Sequence, residues 1–363
     1  MFFFIVYTYY RIDNMEVIEV AINKKVKNSK VRKQEEENKK KRRRILLLLL
    51  LLLLLISLLG GVTYAWFSSN KNATIDMIDI NVETLTGIQA SADAINWSND
   101  ITKEQLINAY KTYPAAENQL PDTMAGVSTD GSVSNGKMNM YYGVIHEYER
   151  DVFSLTSIKH TEINFVGDDQ CKGKHYVAFD IFFLTTQETN LVVTANSSVV
   201  NRNDDRGSQN SARVGFVVLG TVSSDNPRAA QNLKNGTTGL IWEPNYDVHT
   251  QAGVNAASSI YGINTTMSGG ARIPYRGINQ EFSEAVNLTD TDTSPYFSNV
   301  TPHIATTKVF SEDQELVTIP TGITKMRIYM WLEGEDVDLE NSAADSQLTF
   351  NLEIAMAEEK INA

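Results

Sequence analysis

The sequence contains a single cysteine, Cys171, in 363 residues. No intrachain disulfide can form, so burial and hydrogen bonding must hold whatever folds, as they can in a large domain. Cys171 lies in the polar run Gly167–Lys174. It reads as a small residue near a turn, the other reading being a reactive or intermolecular thiol. Catalytic signatures are equally scarce. There is no GxSxG, P-loop or GxGxxG, and the five histidines (His146, His160, His175, His249, His303) stand apart from one another. His146-Glu147 is followed by Arg150 where a helical zinc pair would need its second histidine. Structural roles are expected for the histidines, and no enzymatic activity is expected.

One stretch, residues 45–65, has no charge at all, and it separates two regions of opposite sign. Residues 1–44 hold 13 Lys/Arg against 6 Asp/Glu, whereas the chain after residue 65 holds 19 basic and 38 acidic residues. An excess of acid on that scale repels nucleic acid and anionic lipid, so nucleic-acid binding by the folded part is excluded. The apolar share of 42% and charged share of 21% belong to a chain that buries a core.

The uncharged stretch is an export segment. Lys39-Lys40-Lys41-Arg42-Arg43-Arg44 abuts Ile45, ten leucines (Leu46–Leu55) and Ile56-Ser57-Leu58-Leu59. As a helix, the run from Ile45 to Val62 is about 27 Å long, close to a hydrocarbon core of about 30 Å. Six cations on one flank keep the N-terminus in the cytoplasm and place everything after Val62 outside. Gly60-Gly61 ends the helix, and Thr63-Tyr64-Ala65 places small residues three before and one before a cut between Ala65 and Trp66. The alternative is an uncleaved anchor that keeps residues 45–62 in the membrane. A type IV pilin is excluded, because there the apolar helix is retained after the cut. Residues 1–14, with Phe2-Phe3-Phe4, need not belong to the native protein, since Met15 offers a second start. With no LPxTG-like sorting signal, anchoring is expected to be N-terminal or non-covalent.

Residues 66–363 read as an exported β-rich domain. Thr74–Glu83 alternates with period two, Ile78, Ile80 and Val82 on one side and Asp79, Asn81 and Glu83 on the other. Gly87–Ala92 reads as its neighbour. Thr102–Tyr113 is the one short helix expected, with Leu106, Ala109, Tyr110 and Tyr113 on one face and Pro114 ending it. Residues 121–137 read as loop. Tyr176–Leu184 is apolar on nearly both faces, as in a covered central strand, and Asn190–Ala195 is expected to form a hairpin with it. Arg213–Leu219, Leu316–Ile319, Lys325–Leu332 and Leu348–Ile354 complete the strand candidates. Residues 223–305, rich in Asn, Gly, Ser and Thr around Leu240-Ile241-Trp242, read as a long elaborated loop region where function would sit. Many strands, hardly any helix, no internal repeat and no βαβ rhythm predict a mainly β fold. The expected form is an antiparallel β-sandwich, jelly-roll-like, behind an N-terminal hydrophobic helix.

Two acidic clusters invite calcium, which takes six or more hard oxygens. They are Glu333-Gly334-Glu335-Asp336-Val337-Asp338 and Asp290-Thr291-Asp292. For the first, Glu333, Glu335, Asp336 and Asp338 are the candidate ligands, against the plainer reading of a solvated acidic turn. Trp242, with Trp97, Trp331, Tyr246, Tyr261, Tyr275 and Tyr296, is a candidate for stacking on a sugar, against core packing.

At Gly60-Gly61-Val62-Thr63-Tyr64-Ala65-Trp66-Phe67-Ser68 the chain resembles the export signal of the TasA/camelysin family of secreted proteins of Gram-positive bacteria. There a Thr-x-Ala-aromatic-Phe-Ser stretch straddles the cut made by a dedicated signal peptidase. The chain is also similar to a broader group of surface proteins of these bacteria. That group is associated with a cysteine just after the last Asp of the Trp331–Asp338 segment; here that place is Leu339. The resemblance implies a jelly-roll subunit of extracellular fibres or matrix, in which an N-terminal strand completes the sheet of a neighbour. Trp66–Val82 is the segment placed to do so. The expected function is therefore a secreted or cell-surface structural protein, associating with itself or with matrix partners in a biofilm-like setting. The rivals are a surface module binding carbohydrate or a host ligand through residues 223–305 and, more remotely, a metal-dependent peptidase.

Overall fold

The computed structural model describes residues 38–49, 73–83, 88–145, 152–158, 175–202, 207–287, 295–339 and 346–357. The chain divides into two compact units, Met1–Gly61 and Val62–Ala363. In the first, residues 38–49 form helix α1, with Ile45 and Leu46–Leu49 exposed. Among the described residues no helix is long and apolar enough to cross a membrane. The rest of the leucine run, the Ala65-Trp66 junction, Cys171 and the Asp290/Asp292 pair lie outside the described residues.

The second unit is mainly β, its strands numbered β1 to β21 along the chain. One seven-stranded sheet runs β19 (Gln314–Ile319), β11 (Thr189–Val193), β21 (Gln347–Met356), β1 (Ala73–Glu83), β3 (Asp100–Ile101). In it β12 (Ser198–Asn201) also pairs with β21, and β4 (Thr123–Met124) with β1. The second sheet runs β18 (Ile304–Ala305), β14 (Leu240–Glu243), β13 (Ala212–Val222), β20 (Gly322–Glu333), β10 (Val177–Thr185), β2 (Ile88–Ser91), with β5 (Gly126–Val127) on β20. Three smaller assemblies complete the unit. They are β8 (Met140–Ile145) with β9 (Val152–Ile158) and β16 (Phe282–Asn287), the hairpin of β6 (Val133–Ser134) and β7 (Lys137–Met138), and β15 (Arg276–Ile278) with β17 (Phe297–Asn299).

The two large sheets share one core. Leu348, Phe350, Leu352 and Ile354 of β21, with Leu191 and Val193 of β11, meet Val177, Phe179, Ile181 and Phe183 of β10, Val214 and Phe216 of β13, and Met326, Ile328, Met330 and Leu332 of β20. These positions alternate along each strand, so one face of each sheet supplies the core. The opposite face of β20 is buried too: Tyr329 and Trp331 pack with Met138, Met140, Tyr176, Val217 and Ile241. The arrangement is sandwich-like.

Pairing departs from the expected plan in three places. The sheets are not wholly antiparallel, because β1 runs parallel to β21 from Thr74↔Gln347 to Glu83↔Ala355, as do β18 to β14 and β5 to β20. The expected hairpin of Tyr176–Leu184 with Asn190–Ala195 does not form. Strand β10 already has β20 and β2 on its two edges, so β11 crosses to the other sheet and pairs β19 and β21. For the same reason Gly87–Ala92 is not the neighbour of the first strand; β2 takes the free edge of β10.

Four helical segments are described besides the loops. After α1 come α2 (Lys103–Asn108), α3 (Pro227–Gln231) and α4 (Gln251–Tyr261). Thr102 and Gln105 form a capping box at the start of α2. From Ala109 to Lys111 the chain tightens to a 3-10 turn, which changes the angular step per residue. Tyr110, expected on the buried face, is therefore 47% exposed, whereas Tyr113 stays buried. Residues 121–137, expected as loop, hold β4 to β6 and the first residue of β7.

Tyr113 ends in a buried ionic group on the outer face of β10 and β20. Asp180, opposite Arg327 in the strand register, accepts from Arg327 Nε at 2.7 Å and Tyr113 Oη at 2.8 Å, with Lys325 Nζ at 3.2 Å. Lys325 also donates to the carbonyls of Gln231 and Leu233, which ties α3 to the sheet. Burial works against a charge on Asp180, but Arg327 and Lys325 beside it hold its carboxyl below the usual carboxylate range. Asp180→Ala would leave buried Lys325 without a carboxylate and Arg327 with Glu117 alone, and is expected to cost about 3–5 kcal/mol in urea unfolding. A loss below about 1 kcal/mol, the scale of an exposed pair, would show that this group does not hold the helices to the sheet.

A buried ionic cluster at the acidic turn

Strand β20 carries its chain into the acidic turn, and every one of its residues is buried. The turn is held by main-chain bonds from Gly334 N to Val127 O and from Glu333 N to Ser211 O. Two of the acidic side chains then fold back on the turn: Glu333 Oε1 accepts from Glu335 N, and Asp336 Oδ1 from Asp338 N. The segment is not a solvated acidic loop, since Glu333, Glu335, Asp336 and Asp338 are all buried.

Their partners come from residues that lie far away in sequence. Arg213, the second residue of β13 and wholly buried, donates from Nη2 to Asp336 Oδ2 at 2.5 Å and to Glu243 Oε1 at 2.9 Å. Its Nη1 reaches the carbonyls of Asn210 and Ala212, and its guanidinium lies over the Tyr275 ring, 5.0 Å from the centroid. Arg272 Nε bonds the other oxygen of Glu243 at 2.5 Å. Although burial opposes the charge, Glu243 and Asp336 hold Arg213 protonated, its pKa raised above the ordinary value.

Asp338 anchors α4. Its Oδ1 accepts from Thr250 N and Oγ1, and Thr250 Oγ1 in turn caps the helix by accepting from Gly253 N. A side chain at Gly253 would overlap the Asp338 carboxylate, so glycine is required there despite its cost inside a helix. Asp338 Oδ2 meets His249 Nδ1 at 2.8 Å, and His249 Nε2 meets Ala271 O at 2.9 Å. Both ring nitrogens face acceptors, which only an imidazolium can satisfy. Burial lowers the His249 pKa, but the bond and charge of Asp338 outweigh it, and the pKa lies above the ordinary imidazole value.

Glu333 and Glu335 differ from the other two acids. Glu333 Oε2 accepts from Trp331 Nε1 at 3.1 Å, and burial raises its pKa to about 7. Glu335 is 0% exposed and neither of its oxygens has a hydrogen-bond partner. Burial first, and the neighbouring Glu333 second, push its pKa well up.

The four candidate calcium ligands are thus brought into one turn but divided in employment: Asp336 serves Arg213, Asp338 serves His249 and Thr250, Glu333 accepts from Trp331 Nε1 and Glu335 N, and Glu335 alone has no partner for its carboxyl. Among the described residues no three His, Cys, Asp or Glu side chains are grouped to hold a metal ion. Trp242 is 1% exposed, and its Nε1 donates to Thr306 Oγ1 at 3.0 Å. Its ring has no face open to a sugar, which corrects the stacking assignment. Trp331 and Tyr275 are buried as well. His303 bonds Leu316 O and His175 stacks on Tyr142, while His146 and His160 lie outside the described residues.

The sequence reading missed Arg213, Glu243, Arg272 and the helix α4. The available signal was a charged residue at the margin of an apolar strand, Arg213 before Val214 and Glu243 after Trp242, which marks a charge carried into a core. Compared with known proteins, the chain matches no family model, no curated protein and no solved structure.

A pH dependence follows from these groups. The raised His249 value means that its contacts stabilise the fold fully below about pH 6.5 and are lost as pH rises through the folded value. Glu333 and Glu335 are also raised, so the folded chain holds protons there that the unfolded chain releases above about pH 4.3. In chelator, the melting temperature should therefore fall between about pH 5 and pH 8, and His249→Gln should flatten part of that fall. A melting temperature that climbs steadily across this range in scanning calorimetry would contradict the assignment.

Proposed function

We propose that the chain is a secreted or cell-surface structural protein, a jelly-roll-like subunit of an extracellular fibre or matrix that associates with copies of itself and performs no catalysis. The observation that carries this reading is the position of β1. This 11-residue strand begins eight residues after Ala65 and pairs in parallel with β21, at the far end of the chain. On its other edge it meets, among the described residues, only the two-residue strands β3 and β4. No hairpin holds β1 to β21, so the same slot can be filled by the corresponding strand of a second copy, in the manner of strand addition to a sheet edge. A β21 edge left without β1 would expose unpaired N–H and C=O groups, which favours its being filled from one source or the other. The resemblance at Gly60–Ser68 to the TasA/camelysin export junction, and the acidic domain after it, support the extracellular setting.

The rival reading, a carbohydrate-binding surface module, loses its central residue with the burial of Trp242. Two measurements test the proposal. N-terminal sequencing of protein from cells and medium should find a start at Trp66 in the released form. The protein starting at Trp66 should assemble with rising concentration, and deleting residues 66–82 should abolish assembly, with a synthetic 66–82 peptide binding the deleted form. A protein that stays monomeric at high concentration and is unchanged by the deletion would overturn it.

A further inference from the structure

The acidic turn holds more carboxyl groups than its surroundings can balance as anions. Five buried carboxylates, Glu243, Glu333, Glu335, Asp336 and Asp338, share two guanidinium groups and one imidazole, those of Arg213, Arg272 and His249. The pairing is uneven. Arg213 and Arg272 take Glu243 and Asp336, His249 takes Asp338, and Glu333 and Glu335 have no cation paired with them among the described residues. The unneutralised pair is the same pair in which Glu335 has both oxygens buried and without a partner. A buried carboxyl in that condition loses the hydration of both oxygens with nothing in exchange, a cost of the order of 1–3 kcal/mol even when it is neutral. An ion of charge +2 at this point would balance two carboxylates and engage both unpartnered oxygens.

We propose that the Glu333–Glu335 turn is a binding site for one hard divalent cation, calcium by class, with Glu335 as the principal ligand and Glu333 the second. The donor chemistry selects the class. The donors are carboxylate oxygens, those of Glu335 without a partner and those of Glu333 each accepting one N–H, and His249, which Asp338 of the same turn holds, is engaged at both ring nitrogens. That disfavours zinc, which binds through nitrogen and sulfur. Calcium completes a shell of six to eight oxygens with main-chain carbonyls and water, and a two-carboxylate site belongs with its weaker extracellular sites, Kd on the order of 10⁻⁴–10⁻³ M. Magnesium keeps several of its own waters and suits a fully buried carboxylate less well. Asp336 and Asp338 are not ligands, because their oxygens hold Arg213, Thr250 and His249. The proposal does not rest on the fibre reading, and either can fail without the other.

The test uses the purified protein starting at Trp66 and metal ions alone. Terbium, a luminescent stand-in for calcium, should show emission sensitised by Trp331, whose Nε1 lies 3.1 Å from Glu333 Oε2. Calcium should displace that emission saturably. The melting temperature should rise with the logarithm of calcium concentration above the dissociation constant. Glu335→Gln, which keeps shape and removes the charge, should weaken calcium binding by more than about 100-fold, the upper end for outer-shell partners of a metal. Glu333→Gln should weaken it less. No sensitised emission, together with an identical melting temperature in chelator and in millimolar calcium, would overturn the site. So would an undiminished calcium response in Glu335→Gln, which would put the ion elsewhere. Should Glu335→Gln fail to fold, the terbium–calcium competition on the unaltered protein and on Glu333→Gln decides between the same outcomes.

Discussion

A guanidinium group without solvent is the constraint on which the rest of this domain depends. Arg213 sits near the start of β13, an inner strand between β14 and β20, and it is wholly buried. Removing such a charge from water costs several kcal/mol unless charge and hydrogen bonds replace what is lost. Asp336 and Glu243 replace it, and each ties in a further piece of chain. Asp336 fixes the turn after β20, and Glu243 fixes Arg272 at the far end of the excursion that contains α4. Through Asp338 the same turn caps α4 and holds His249. A segment that leaves the sheet at β14 is thus returned to it by ionic bonds.

This explains how a chain with one cysteine can carry so long an excursion. Loop-closing crosslinks are the usual device in secreted proteins, and none can form within this chain. Apolar packing under α4 is modest, resting on Ala257, Ile273 and Val337 with partial cover from Tyr261 and Ile263. Directional charge pairs in a largely buried interface supply the specificity that so few apolar groups cannot. The acidity of the domain is accordingly not all on its surface, since several of its carboxylates are structural.

The strands with strict alternation were legible in sequence, because a half-buried sheet imposes period two directly on residue choice. Met326, Ile328, Met330 and Leu332 do face the shared core. Partnership between strands was not legible. Whether Asn190–Ala195 pairs with the strand before it depends on which edges of β10 are already taken, and β20 lies more than a hundred residues further on. Helix α4 escaped notice because Gly253, Asn255, Ser258 and Ser259 depress its propensity and leave almost no apolar stripe. Its two ends were marked all the same, by Thr250 as cap and Gly262 in the left-handed conformation. The acidic turn was visible as a cluster of charge, but its burial was not, since only the fold brings Arg213 and His249 to it.

The central claim is that Arg213 fastens the excursion to the sheets rather than merely contributing to the core. Hydrogen exchange of Arg213→Met, a substitution of similar length that leaves the sheet's packing intact, tests it most directly. The account predicts that amides of residues 244–275 lose protection by an order of magnitude or more, equivalent to about 1.4 kcal/mol of local stability, while those of β10, β20 and β21 keep theirs. Protection lost equally throughout the domain, or retained in 244–275, would contradict it.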